Sequence, residues 1–421
     1  MSMLRASAAL AAAALAGCSL LGEPEDPPLP GERIPVFLEE RSLAADSNAF
    51  DREILLPRPY VNEAWPQAGG YPTHAMYHLS LPAGGGPAGS LRVGRGLDDA
   101  HSLIGEPIIA ASTIFTYDSV GRVTAFEEAG GARIWSYVVV PDEEDDSILG
   151  GGIAYDAGSV VAVTGVAQVV ALRAGDGAVR WIANTDAPAR SAPTIAAGRV
   201  FVATIDNQLE VYDLRNGAKL WTHSAFVETA SLLGGGAPAS DGEIVVVAYA
   251  NGDVFGLDVS DGRVVWTDSA VSVRRFEPLA GISDVRAKPV IDRDVVTVVG
   301  LGDRMLGLDR VTGRRLWERD IGGDQTPWAA GEVFYLVTRD AELVAVSRGD
   351  GAVLWVQQLP VFENERDREG RIRWMGPVLA SDRLILAASD RSLYAFSPYD
   401  GDLLGVQSVD GRPVAPPAIA N

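Results

Sequence analysis

The 421 residues carry a formal net charge of −21, and only two of the cationic side chains are lysines, Lys219 and Lys288. An acidic balance of this size excludes nucleic acid as the partner and excludes attachment to anionic lipid through a basic face. The 47% hydrophobic content is ample for a packed core, and the length suits one large all-β ring.

The chain opens on a processing signal. Arg5 supplies a positive start, Ala6 to Leu15 an apolar run, and Leu15-Ala16-Gly17-Cys18 the pattern of a lipoprotein signal peptide. Residues 1–17 are expected to be removed, leaving Cys18, the single cysteine, as the acylated N-terminus. The alternative is an ordinary secretory signal with a chance cysteine. No later stretch reaches the roughly 18 apolar residues of a membrane-spanning helix, so the expected attachment is an anchor and not a span. Ser19 after the cysteine matches bacterial lipoproteins retained in the outer membrane, here facing the periplasm.

Residues 18–52 read as a tether. Pro24, Pro27, Pro28, Pro30 and Pro35, with acidic residues between them, keep such a segment extended and solvated. A short helix is expected near Phe37 to Ala45. Residues 53–89 are irregular and expected to cap the ring, with Trp65 as its plug.

From residue 90 onward the chain repeats one phrase: an alternating apolar run, a turn with Gly, and four residues after that Gly a Trp. The copies end at Trp135, Trp181, Trp221, Trp266, Trp317 and Trp355, and a seventh puts Gly405 in the Trp position. Each reads as a β-hairpin. Residues such as Leu209, Val211 and Tyr212 suit a half-buried strand, and Asn-Gly or Asp-Gly (Asp176-Gly177, Asn216-Gly217, Asp261-Gly262, Asp350-Gly351) gives the turn its positive φ. Upstream of each hairpin, stretches such as SAPTIAAGRVFVATIDNQ add two more strands. A period of roughly 40 to 50 residues with four strands per copy predicts an all-β propeller. The Trp is the natural wedge between blades, because one such sheet cannot bury both faces alone.

These phrases resemble pyrroloquinoline-quinone-type propeller repeats, and the arrangement is similar to the BamB family of outer-membrane assembly lipoproteins. That family has eight blades, whereas seven repeats are complete here. Ser90 to Gly94 resembles the stretch after the turn, with Leu91 in the Trp position, and PVAPPAIAN resembles the opening of a repeat. The eighth blade is therefore expected to be composite, and either incomplete, with exposed strand edges, or cut short with the sequence.

Chemistry finds little support. Similar repeats build quinone-dependent dehydrogenases, which is the runner-up reading. Those enzymes commonly carry a vicinal cysteine pair and a calcium-bound quinone, and this chain has neither a second cysteine nor an evident ligand cluster. No cofactor and no metal are expected. His74 and His78 lie in a Pro/Gly-rich stretch with no helix to align them, and the run Asp142 to Asp146 lacks a calcium-loop pattern. Gly150-Gly151-Gly152 and Gly234-Gly235-Gly236 read as inter-blade turns rather than phosphate cradles.

The expected function is a non-catalytic binding scaffold. The alternatives are the dehydrogenase-like enzyme and an interaction module of another envelope complex. Two loops resemble family loops that dock on a periplasmic POTRA domain of BamA, the barrel-inserting subunit. One is Ala187-Pro188-Ala189-Arg190, where the family's leucines are reduced to alanines; the other is Ile282-Ser283-Asp284-Val285-Arg286. The resemblance implies Arg190, Asp284 and Arg286 as partner contacts through charge-assisted bonds. The alternative is that Arg190 and Asp284 pair across adjacent blades or only fix the loops. Unfolded outer-membrane clients adding a strand to a sheet edge are a second class of partner.

Overall fold

A computed structural model describes residues 43–49, 52–82, 90–94, 105–140, 150–226, 235–271 and 285–420. Cys18, nearly all of the tether, His101, the acidic run from Asp142 to Asp146, Gly234 and Asp284 lie outside these residues. Seven four-stranded antiparallel sheets follow one another along the chain, each in simple meander order. They are blades 1 to 7, at 108–138, 151–184, 194–224, 239–269, 290–319, 328–358 and 374–408. The all-β propeller expected from the repeat is thus present. No helix falls among the described residues, and Leu43 to Ala45, the described end of the expected helix, are irregular.

The repeated phrase has one physical job at every seam. Five of the six Trp residues stand opposite a small residue on the third strand, Ala125, Ala171, Gly256, Gly307 or Ala345, and Trp221 stands opposite Val211. A β-bulge or irregularity of register follows that position in every blade. At Gly307 the small residue is obligatory, since a β-carbon would fall 2.1 Å from the Trp317 ring. The indole then crosses to the next blade and donates to a turn carbonyl: Trp135 to Ala174, Trp181 to Leu214, Trp221 to Val259, Trp266 to Arg310, Trp317 to Arg348 and Trp355 to Pro398. Its face lies on the turn glycine of that blade; for Trp317 this is Gly351, where a β-carbon would be 2.7 Å from the ring. Asn-Gly and Asp-Gly thus serve two needs at once, the left-handed backbone of the turn and a bare surface for the neighbour's indole.

The same contact explains the ends of the chain. Leu91 lies on Gly131 of blade 1 as the Trp residues lie on their glycines, its Cδ2 2.5 Å from where a β-carbon would be. Near the C-terminus, the Ile419 carbonyl accepts a bond of 2.7 Å from Asn62 Nδ2. Two segments therefore stand at the eighth position, but neither forms a strand. Blade 7 shows the consequence. In blade 6 the row Tyr335, Ala345 and Trp355 is buried against the next blade; in blade 7 the matching Ile385 and Ala395 are half-buried and Gly405 is exposed. Among the described residues the eighth blade is incomplete.

The irregular stretch of residues 60–82 threads the axis and bonds to every blade in turn. Trp65 exchanges backbone bonds with Ile109 of blade 1, the Pro66 carbonyl takes the Tyr155 amide of blade 2, and the Gln67 side chain brackets Ile195 of blade 3. The carbonyls of Pro72 and Thr73 take Ser240 of blade 4 and Ile291 of blade 5, Tyr77 takes the Trp328 indole of blade 6, and Leu79 bridges Leu379 and Ser381 of blade 7. Trp65 is buried and stacks on Trp328 with centroids 6.3 Å apart. A segment without periodicity thereby satisfies inner-strand amides that would otherwise face an open channel.

Candidate functional site: the funnel mouth and its rim

In an antiparallel four-stranded blade, the loop entering the inner strand and the turn between the second and third strands lie at the same end. This end is the entry rim. Its loops surround a funnel of about 280 Å³ whose floor includes Trp65, Gly69 and His74. Val414 and Pro416 from the C-terminal segment line it where an eighth entry loop would stand.

Two struts cross the mouth. Lys288, entering blade 5, makes an ion pair with Glu106, entering blade 1, and Glu106 also accepts from the Gly69 amide at 2.9 Å. Arg190, entering blade 3, reaches the Val285 carbonyl ahead of blade 5 at 3.4 Å. It passes over Gly235, which enters blade 4 and has no side chain to block the way. His74 donates through Nδ1 to the Pro289 carbonyl at 2.7 Å, and burial together with the nearby Lys288 charge brings its pKa down to about 4. His78 is likewise used by the backbone, donating to Pro57 and accepting from the Asp382 amide.

The loop that carries Arg190 is held from beneath. Glu210, fully buried on the third strand of blade 3, accepts the Asp186 amide at 2.7 Å and the Tyr212 hydroxyl, and pairs with Lys219 Nζ at 2.7 Å. Burial and the Glu210 carboxylate push the Tyr212 hydroxyl far above its ordinary pKa. Both lysines of the chain, Lys219 and Lys288, thus hold entry loops in place.

Arg190, expected from the sequence on a partner-facing surface, is only 4% exposed and lines the funnel, where it bonds the Val285 carbonyl. The alternative pairing of Arg190 with Asp284 falls on a residue outside the described ones; the two loops belong to blades 3 and 5, with blade 4 between them. Arg286 is half-buried and lines the funnel, and Asp284 lies outside the described residues. Glu106 and Glu210 carried no signal in the sequence, since each acts through a contact with a distant part of the chain, and Gly235 is read there only as part of an inter-blade turn.

Among the described residues no three His, Cys, Asp or Glu side chains converge as a metal site. Of the described carboxylates that line the funnel, Glu106 is bound to Lys288 and Gly69, and Asp324 accepts from Gln325. The arrangement can present shaped loops around the funnel mouth.

A ring of four-stranded blades, locked by Trp on Gly and threaded by its own N-terminal stretch, defines a repeat propeller built to present loops. The family described as outer membrane protein assembly factor BamB matches residues 119–357, and the chain belongs to that family. The outer membrane protein assembly factor BamB of Yersinia pestis is 26% identical over 345 residues, covering 73% of this chain and 88% of that protein. The crystal structure of BamB from Moraxella catarrhalis superposes with a TM-score of 0.65 at 20% identity, over 77% of this chain and 92% of that one. A europium-containing methanol dehydrogenase has the same fold, with a TM-score of 0.62 at 12% identity over 84% of this chain and 86% of the enzyme.

Proposed function

We propose that the protein is a non-catalytic scaffold lipoprotein of the machinery that assembles outer-membrane β-barrels. The entry rim docks on a periplasmic POTRA domain of a BamA-like barrel-inserting subunit. Acylated Cys18 holds the ring at the inner face of the outer membrane. Family membership supports this reading. The observation that carries it is the threaded axis: the chain's own residues 60–82 occupy the channel where a dehydrogenase of this fold would need an open pocket for its quinone. In place of ligands, the mouth offers struts that stiffen the rim. Arg286 and Asp284 are the contacts, Arg190 shapes the loop beside them, and unfolded barrel clients are a second class of partner at the open edge by blade 7.

An affinity pull-down of the full lipoprotein from its native envelope in mild detergent tests this reading. A POTRA-containing barrel protein should accompany it. A folded, membrane-bound bait that recovers no such protein would discard the scaffold assignment.

A further inference from the structure

Phe226 follows the outer strand of blade 3, Lys219–Ser224, and stands on the entry rim between the loops of Arg190 and Arg286. Its ring is 88% exposed, more than any other large apolar side chain among the described residues. An isolated exposed apolar residue needs no explanation by itself. What sets Phe226 apart is that its main chain is held from two blades. The carbonyl accepts from Asn207 Nδ2 of blade 3 at 2.8 Å and from Asn251 Nδ2 of blade 4 at 3.3 Å. Asn207 is buried, adopts a left-handed backbone at φ 57°, and also takes the Ala250 amide of blade 4 at 3.1 Å. The ring is therefore offered to water from a fixed platform. An aromatic side chain presented this way loses little freedom on binding and is the kind that dominates interface energetics.

The surroundings say what kind of surface would cover it. Ile205, 42% exposed, belongs to the same rim and has its amide bonded to Pro188 in the Arg190 loop. The same rim carries carboxylates. Asp206 is held by Thr204 and Gln208 and Asp253 by Asn251, while Asp186, in the Arg190 loop, is paired with Lys219. An acidic partner would be repelled here, and a cationic margin would be drawn in.

We propose that Phe226 is the apolar anchor of the docking rim, and that its occupant is a folded protein domain with an apolar pocket bordered by Lys or Arg. The Arg190 loop itself carries alanines at positions 187 and 189, which leave it little apolar reach. This assignment rests on the scaffold reading above and deepens it by naming the residue that binds.

The test uses the full lipoprotein in its native envelope, with wild type, Phe226→Ala and Phe226→Trp as baits. Phe226→Ala should lower recovery of the POTRA-containing protein by about tenfold or more, and Phe226→Trp should hold it within about twofold. The thermal midpoint should be the same in all three, because the ring touches little in the folded protein. Equal recovery by wild type and Phe226→Ala would overturn the anchor and leave the scaffold reading intact. Failure of wild type to recover any POTRA protein would remove both. If instead Phe226→Ala impairs only the binding of the unacylated protein to vesicles of phosphatidylethanolamine and phosphatidylglycerol, the ring meets lipid and the proposal is wrong.

Discussion

The Arg190 guanidinium lies directly over the α-carbon of Gly235, so that a β-carbon there would fall 2.1 Å from Arg190 Nε and 2.7 Å from its Cδ. A side chain from blade 3 reaches the loop before blade 5 because blade 4 supplies nothing at that point. Gly235→Ala should displace the arginine and cost about 1–3 kcal/mol, as overpacking of a tight site does. Chemical denaturation reads the loss. Unchanged stability would mean that Arg190 relocates without penalty and is no strut.

The Trp-on-Gly contact predicts a contrast between two seams. Trp317→Ala should destabilise by about 3–5 kcal/mol, since it empties a buried seam and leaves the Arg348 carbonyl without its donor. Gly405 occupies the matching position in blade 7, and a β-carbon there would meet nothing within 4 Å. Gly405→Trp should therefore stay within about 0.5 kcal/mol of wild type. A large gain from that variant would show that blade 7 has a neighbour to receive the ring.

His74 predicts a pH dependence whose sign follows from its lowered pKa. Its ordinary value is 6.5 and burial with the Lys288 charge brings it to about 4 in the folded ring, with Glu106 opposing weakly. Between those values the unfolded chain binds a proton that the folded ring refuses. Stability from this residue is complete above pH 6.5 and falls as the pH drops toward 4, by roughly 3 kcal/mol at full extent. Melting curves across that range should show the slope in wild type and a flatter one in His74→Gln. Equal slopes would place the titration elsewhere.

Turn carboxylates act further down the scale. Asp213 accepts from the Arg215 side chain and amide, which bring its pKa from 3.8 to about 2. A lowered carboxylate contributes stability above its unfolded value and loses it as the pH falls through the folded one. The blade 3 turn should loosen between pH 3.8 and about 2, read as faster amide exchange at Gly217, and Asp213→Asn should exchange at the fast rate already at neutral pH.

At the proposed partner contacts, reversing the charge at Asp284 and at Arg286 singly should weaken co-purification of the POTRA protein without moving the thermal midpoint. Arg190 behaves differently on this reading. Its substitution should lower stability and recovery together, because it shapes the loop from within the funnel.

The hairpin phrase was legible because every need it meets is local. Alternation, a turn glycine and the Trp four residues after it all lie within a dozen positions, and seven copies of the hairpin leave one architecture to choose. Leu91 was legible in the same way, as a surrogate in a known place. The candidate rim was legible only as loops. Nothing near Arg190 indicates that its side chain turns inward, since that depends on a glycine in the next blade and a carbonyl in the one after.

The amino-acid sequence by itself determined a ring of four-stranded blades and the joint that locks each to the next, because strand alternation and turn chemistry act between near neighbours. Tertiary structure alone decided that residues 60–82 thread the axis, that Arg190 is a strut, and that Phe226 is held outward. The reason is physical: these depend on bonds between segments such as Leu79 and Leu379, or Asn207 and Ala250, that only a closed ring brings together. Side chains and amides with no periodic pattern take their role from the partner that folding places opposite them.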